Sequence, residues 1–511
     1  MSLFDTRLSR VNTEIWKTTG PLVLPERQIP EVSGRKNVGV TFSGGGTRSA
    51  SATLGQLRAL NALGLISGIR YLSCVSGGSW ASIPFLYLPE NYSDELFLGP
   101  VIEPQNITLS NLVSAPPGSL SHTIANSEIV RSFLDALFNL GGFEAFSRAL
   151  GKIFLDPFGI GSVEKFFTYS ATTRSGIRQT NPKMRDEDFY LQKSNRPFWI
   201  VGGTLFEESE KDSNYHFEFT PLYAGISTLH QGQGINGLNI GGGYVEPFAF
   251  DSESPGDQGG PGMTFTCKLG GKAHWLTLSD VIGTSGAAPA RVLNEMGLDW
   301  IGFPEFRYWP PADMPRANLE KSYPFGDGGF LENLGLIALL KRKVERIVCF
   351  VNTRDRLEKR SNGSLSINTS LPPLFARAGD FTLNHVFPEV GFQKLVDGLL
   401  AAQSAGGPVM FQDRYQVLEN AFYGVPGGWE VDVLWVYNNR VPTWEARLTS
   451  QVRELLKTSK FERFPHYKTF GENLPHIIDL TPEQVELLAH LSCWNVLSHE
   501  AVFDAFLNGA T

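Results

Sequence analysis

Cysteine is scarce in this chain, four residues in 511, and Cys74, Cys267, Cys349 and Cys493 are far apart and form no CxxC pair. That spacing excludes a disulfide framework and a structural zinc site, and it fits reduced thiols in a cytoplasmic setting. Long apolar runs are missing as well: no stretch reaches the ~18 uncharged apolar residues that a membrane span needs. The opening MSLFDTRLSRVNTEIWKT lacks the apolar core of a signal peptide. Membrane contact, if any, is therefore expected to be peripheral. Charged residues make up only 19%, the net charge is −8, and no run of Lys or Arg stands out. A nucleic-acid binder draws its affinity from many phosphate contacts, so that class is not expected. No polar low-complexity block occurs either, which argues for a chain folded through most of its length.

Glycine is plentiful, with 53 residues, and aromatics reach 12%. The length suits about three domains, or one large α/β domain with insertions. Residues 1–36 mix charge and proline and read as an arm. In NVGVTFS, Val38, Val40 and Phe42 alternate at the strand period. Glycines follow, and then Leu54, Leu57, Leu60 and Leu63 recur at helical spacing up to Gly64, placed to end a helix in the left-handed conformation. IRYLSCV, Ser76-Gly77-Gly78 and Trp80 to Leu88 repeat the strand, tight turn and helix. Residues from about 89 to 196 read as an inserted cap whose helices, carrying Val130, Phe133, Leu137 and Leu140 and then Phe143, Phe146, Leu150 and Ile153, are either core or lipid-touching lid. PFWIVGGTL, HFEFT and the fully apolar IVCFV predict strands, the last buried on both faces of a parallel sheet. Lys341, Arg342 and Lys343 close a helix and complement its dipole. A helical part is expected from about 443, with Thr481 and Pro482 starting one helix. The acidic loop Asp251–Asp257 lacks the spacing of an EF-hand.

A serine becomes a nucleophile only when one group takes its proton and another stabilises the oxyanion. Ser76 in CVSGGSW sits at a strand-to-helix turn that exposes a hydroxyl, and the Gly77 amide faces the developing oxyanion. In SGGGTR, Gly45 and Gly46 open a helix whose free amides can serve the same oxyanion. A nucleotide loop is the competing possibility, but no Gly-Lys-Ser/Thr follows and Ser49 breaks the GxGxxG spacing. Arg48, in the first turn of that helix, calls for an anionic partner, either a structural carboxylate or a substrate phosphate. Asp327 in FGDGGFLENLGL stands where a turn can aim a carboxylate into a site; a plain turn aspartate is the alternative. No histidine stands in a comparable setting. Ser285 in GTSGAAPA mimics a nucleophile motif, but Trp275, Leu278, Val281 and Ile282 follow helical spacing and place it inside a helix.

GGGTR, VSGGSW, TSGAAPA and DGGFLENLG, in this order across about Val38 to Asp355, resemble the patatin-like and group IV cytosolic phospholipase A₂ enzymes. The resemblance implies an α/β, three-layer α/β/α catalytic fold with a mainly parallel central sheet, here one domain over 37–511. It implies a Ser/Asp dyad, with Ser76 as nucleophile and Asp327 as general base. Gly44, Gly45 and Gly46 then form the oxyanion loop together with Gly77, and Arg48 engages a lipid phosphate. No metal or organic cofactor is implied. Cys74 departs from the G-x-S-x-G elbow by placing a bulkier residue beneath the turn. No calcium-binding targeting domain precedes these motifs, so calcium-driven recruitment is not expected. The expected function is hydrolysis of fatty-acyl esters of phospholipids or lysophospholipids at a membrane or micelle surface. Acyl transfer to an alcohol by the same dyad and a non-catalytic lipid-binding module are the alternatives.

Overall fold

The structure, a computed structural model, describes residues 8–18, 24–127, 144–207, 214–256, 264–269, 275–287, 304–361, 363–378, 382–468 and 479–509. The expected helix over Val130 to Leu140, and Phe143 with it, lies outside these residues.

Thirteen strands form one sheet. In chain order they are β1 (Arg10–Lys17), β2 (Val38–Phe42), β3 (Tyr71–Cys74), β4 (Phe198–Phe206), β5 (Asn214–Phe219), β6 (Ala224–His230), β7 (Ile240–Val245), β8 (Thr264–Lys268), β9 (Glu305–Tyr308), β10 (Lys321–Asp327), β11 (Arg346–Val351), β12 (Val409–Val417) and β13 (Trp429–Tyr437). The spatial order is β8-β1-β7-β6-β5-β4-β3-β2-β11-β13-β12, with β10 also on β4 and β9 on β10. The segment expected to be an arm thus contributes a strand to this sheet.

Only the middle of the sheet is parallel: β4, β3, β2, β11 and β13 run together. Every pairing outside that group is antiparallel. The expectation of a mainly parallel sheet is corrected to a mixed one. The reason lies in the connections: parallel neighbours need long crossovers, whereas β4 to β7 follow one another through short links that permit only antiparallel return.

Helices cover the parallel core. Val38, Val40 and Phe42 share one apolar cluster with α1 (Gly46–Ala62), α2 (Gly77–Tyr87), α7 (Pro482–Leu497) and α8 (Glu500–Asn508). Ile347, Cys349 and Val351 share a second with α5 (Leu336–Lys341) and α6 (Val390–Ser404). Between α2 and α5 lie α3 (Glu144–Phe154) and α4 (Leu278–Ser285) in the chain. Gly64 adopts φ 68° just past α1, the conformation expected of it. Pro482 opens α7, and the Gln484 side chain accepts the Thr481 amide at 2.9 Å.

The basic triplet ends α5 as expected, with Arg342 Nη1 donating to the Ala338 carbonyl at 2.8 Å, and it also makes buried ion pairs. Arg342 is wholly buried, 3.0 Å from Glu26 Oε1 and 3.0 Å from Glu218 Oε2, and Lys341 Nζ lies 2.7 Å from Glu218 Oε1. Burial pushes Glu218 up, but Arg342 and Lys341 outweigh it and hold the carboxyl well below its usual range. These residues hold the segment before β2 against β5, and only Lys343 of the three is left exposed at the surface.

Candidate active site

Strand β4 outruns β3, and this creates the site. Its first half pairs with β3, whose last residue Cys74 stands opposite Val201. Its second half pairs with β10, which arrives from the other direction and ends with Asp327 opposite Gly203. The ends of two strands therefore abut along one neighbour only two residues apart, about 7 Å of strand. The turn that leaves Cys74 must meet the side chain at Asp327.

That turn carries Ser76, at φ 51° and ψ −127°. A positive φ on a residue with a Cβ costs of order 1–3 kcal/mol and persists only where surroundings impose it. Here they do. Val75 donates its amide to Phe42 O at 3.2 Å, and the Ser76 carbonyl accepts from the Ser79 amide at 2.8 Å as α2 begins. Gly77 and Gly78 are needed for contact: a Cβ at Gly77 would run into the Gly46 peptide, and one at Gly78 into the Phe42 carbonyl. Cys74 fits beneath the turn fully buried, and burial pushes its thiol far up, which leaves it inert.

The Ser76 side chain lies close enough to the Asp327 carboxylate to favour its charged form. Asp327 Oδ1 also accepts the Gly329 amide at 2.8 Å, and Thr204 Oγ1 donates to the Asp327 carbonyl at 2.8 Å. Burial raises the Asp327 carboxyl to about 7, against the Gly329 amide and the nearby Ser76 side chain, which favour its charge. No described histidine bonds to either residue. Among the described residues no group of three or more His, Cys, Asp or Glu could hold a metal ion.

The glycine loop closes the third side. Gly46 and Gly77 are the first residues of α1 and α2, where amides have no acceptor within their own helix. The two lie against each other, so the positive ends of two helices converge beside the serine. Gly45 and Gly46 take φ 140° and 56° to make this turn. Gly44 differs from expectation: its amide is already given to Asn333 O at 2.9 Å. Its role is close approach, since its missing Cβ would sit 3.0 Å from the Ser76 Cβ and collide with Asn333 Oδ1.

Arg48 is buried and serves main-chain oxygens, with Nε on Asn352 O at 3.2 Å and Nη1 on Tyr467 O at 2.5 Å. Its Nη2 edge rests against Gly45. Burial, with Arg354 adding to it, lowers the guanidinium to about 9, while Asp355 pulls the other way. The expected anionic partner is thus replaced by carbonyls on two of its nitrogens. Ser285 closes α4, capped at its start by Thr277 and Asp280, in agreement with the helical spacing. Asn333, Thr204 and Gly202 were not singled out from sequence; Asn333 had only its place in the ENLG run as a signal.

A Gly77→Ala variant is expected to fold with the Gly46 peptide pushed away and to lose roughly 10²–10³-fold in turnover, the scale of one lost oxyanion donor. Steady-state rates beside a thermal melt would test this; an unchanged rate would show that the Gly46 contact does not matter.

No protein-family model matches the chain. Two curated proteins are similar over short stretches. Cytosolic phospholipase A2 zeta of Mus musculus is 44% identical over 64 residues, 12% of this chain and 7% of that protein. The Homo sapiens zeta protein is 40% identical over 92 residues, 18% of this chain and 10% of that one. Among solved structures, human GIVD cytosolic phospholipase A2 aligns over 92% of this chain and 60% of its own, with 14% identity and a TM-score of 0.43. The same protein in complex with methyl gamma-linolenyl fluorophosphonate aligns over 96% and 60%, with 15% identity and a TM-score of 0.41. The chain thus spans well under two thirds of the length of these proteins. The resemblance to the group IV cytosolic phospholipase A₂ family that the motifs carry is supported by these matches.

Proposed function

We propose that this protein is a serine acyl hydrolase that cleaves fatty-acyl esters of phospholipids or lysophospholipids through an acyl-enzyme on Ser76. The observation that carries it is a strained elbow serine brought beside a buried carboxylate where two strands end on β4, next to the converging N-termini of two helices. Asp327 takes the Ser76 proton as Oγ attacks the ester carbonyl, and a base with a carboxyl near 7 is well matched to neutral pH. The amides of Gly46 and Gly77, with Gly45 shaping the loop, receive the oxyanion. Asp327 returns the proton to the departing alcohol; it then activates the water that releases the fatty acid. Arg48 ties the start of α1, next to the glycine loop, to the Asn352 and Tyr467 carbonyls.

The short matches to cytosolic phospholipase A2 zeta favour a phospholipid substrate over other esters. On this reading the catalytic unit is a three-layer α/β/α patatin-like domain over 37–511 to which the preceding segment adds β1, with a cap at about 89–196 and a helical part from about 443. Among the described residues no helix is long and apolar enough to cross a membrane. The names of the similar proteins, cytosolic phospholipases, lead us to place this one in the cytoplasm, meeting lipid at a membrane or micelle surface.

Intact mass after exposure to a fluorophosphonate, followed by peptide mapping, tests the proposal. One adduct on the peptide that holds Ser76 is expected, and a panel of lipid esters with and without an added alcohol then separates hydrolysis from acyl transfer. No adduct, or an adduct elsewhere, would reject the assignment.

A further inference from the structure

The hydroxyl of Ser285 takes no part in the chemistry above, yet it is fully buried directly behind the nucleophile. Its Oγ accepts the Ser76 amide at 2.9 Å and donates to Gly202 O at 2.8 Å. Two nearby amides have other fates. Val75 still donates to Phe42 O, and Gly78 already donates to Val75 O at 2.9 Å. The turn in φ at Ser76 lifts its own N–H out of the β3 ladder before α2 can use it, and a buried amide in that position needs an acceptor.

We propose that Ser285 is a positioning residue for the Ser76 nucleophile, an inference that rests on the dyad proposed above. The peptide plane ahead of Ser76 sets the direction of its Cα–Cβ bond and hence of Oγ. By passing its own proton to Gly202 O, the Ser285 oxygen becomes a better acceptor for that amide. Gly202 is a telling anchor. A Cβ at Gly328 would stand 2.5 Å from the Gly202 carbonyl, so the turn after Asp327 rests on the same peptide. One hydroxyl thereby ties the nucleophile's backbone to the support of its base.

Helix α4 is held firmly enough for this task. Thr277 and Asp280 cap it reciprocally, with Asp280 Oδ2 accepting the Thr277 amide at 2.8 Å. Missing side chains at Gly283 and Gly286 let it close on Ser147 of α3 and on Trp80 of α2. A second consequence concerns the oxyanion: with the Ser76 amide engaged behind the elbow, that amide cannot face the substrate, and the donors are those of the glycines.

The test compares wild type and Ser285→Ala in the full chain. It measures the limiting rate and the half-saturating concentration for fluorophosphonate labelling of Ser76, the pH profile of that rate, and the thermal midpoint. The expected result is a limiting rate lower by roughly 10- to 100-fold, the scale of a small misplacement of a reacting atom. Half-saturation and the midpoint of the acid limb stay where they were, because the pocket and Asp327 are untouched. Ser285→Cys, which keeps a weak donor and acceptor, restores part of the rate and replaces the alanine variant should that one not fold. Equal limiting rates for wild type and Ser285→Ala, or a fall that merely follows the unfolded fraction, would overturn the inference alone. A wild-type protein that takes no label at Ser76 would instead defeat the dyad itself.

Discussion

Ser76→Ala is expected to leave a folded protein whose lipid-ester hydrolysis is lower by roughly three to six orders of magnitude, the range seen when a covalent nucleophile is removed. The loss is this large because Asp327 then has no hydroxyl to deprotonate, and the glycine amides alone stabilise only what water can form unaided. The same position offers a control that separates chemistry from backbone. Ser76 holds φ 51° and ψ −127°, which a glycine adopts without strain. Ser76→Gly should therefore be as inactive as Ser76→Ala but more stable than it, by about 1–2 kcal/mol. Chemical denaturation of the two variants reads the difference. Should alanine prove the more stable, the turn is not strained; should either variant keep near-normal turnover, another residue is the nucleophile.

Asp327→Asn should lower turnover by roughly 10³- to 10⁵-fold while retaining the acceptor for the Gly329 amide. Its effect on stability has the opposite sign. Burial lifts the Asp327 carboxyl from the ordinary 3.8 to about 7, so the folded chain binds this proton more tightly than the unfolded one does. The group favours folding fully below pH 3.8, and that contribution drains away as pH rises to about 7. Above that, the wild type carries a buried charge that an asparagine would not. The Asp327→Asn variant should then be the more stable protein at pH 8 by on the order of 2–4 kcal/mol, with the advantage shrinking toward pH 5. Urea melts at the two pH values measure it. In the wild type, kcat/KM should climb with pH through a midpoint near 7. A flat profile from pH 5 to 8 would mean that Asp327 is not the base.

The units legible from sequence were those whose signal is local. Val38, Val40 and Phe42 share one face of β2 and the leucines of α1 share one stripe, although both elements are buried nearly all round. Gly64 punctuates that helix where it must. The two strand-to-helix turns announced themselves by glycines that the backbone cannot do without, since at Gly77 and Gly78 any side chain meets another peptide. The hidden part depends on pairing between distant segments. Nothing in IRYLSCV or FGDGGF says that β3 and β10, far apart in the chain, end head to head on β4. The antiparallel flanks were missed for the same reason, because a strand's direction is not written in its residues. Lys341 and Arg342 were legible as the end of a helix, but their ion pairs were not, because Glu26 and Glu218 lie on remote segments. Arg48 suggested an anion because a guanidinium at a helix start implies one, and carbonyls from residues 352 and 467 took that place.

The head-to-head ending of two strands on β4 bears on synthesis. A ribosome that has delivered everything through β4 and β5 has made the reactive hydroxyl and its glycine cradle, but not yet the carboxylate. On the proposed mechanism such a nascent chain, which holds β2, β3 and β4 but not β11 or β13 of the parallel group, is chemically silent. Competence would then arrive only when β10 pairs with the second half of β4.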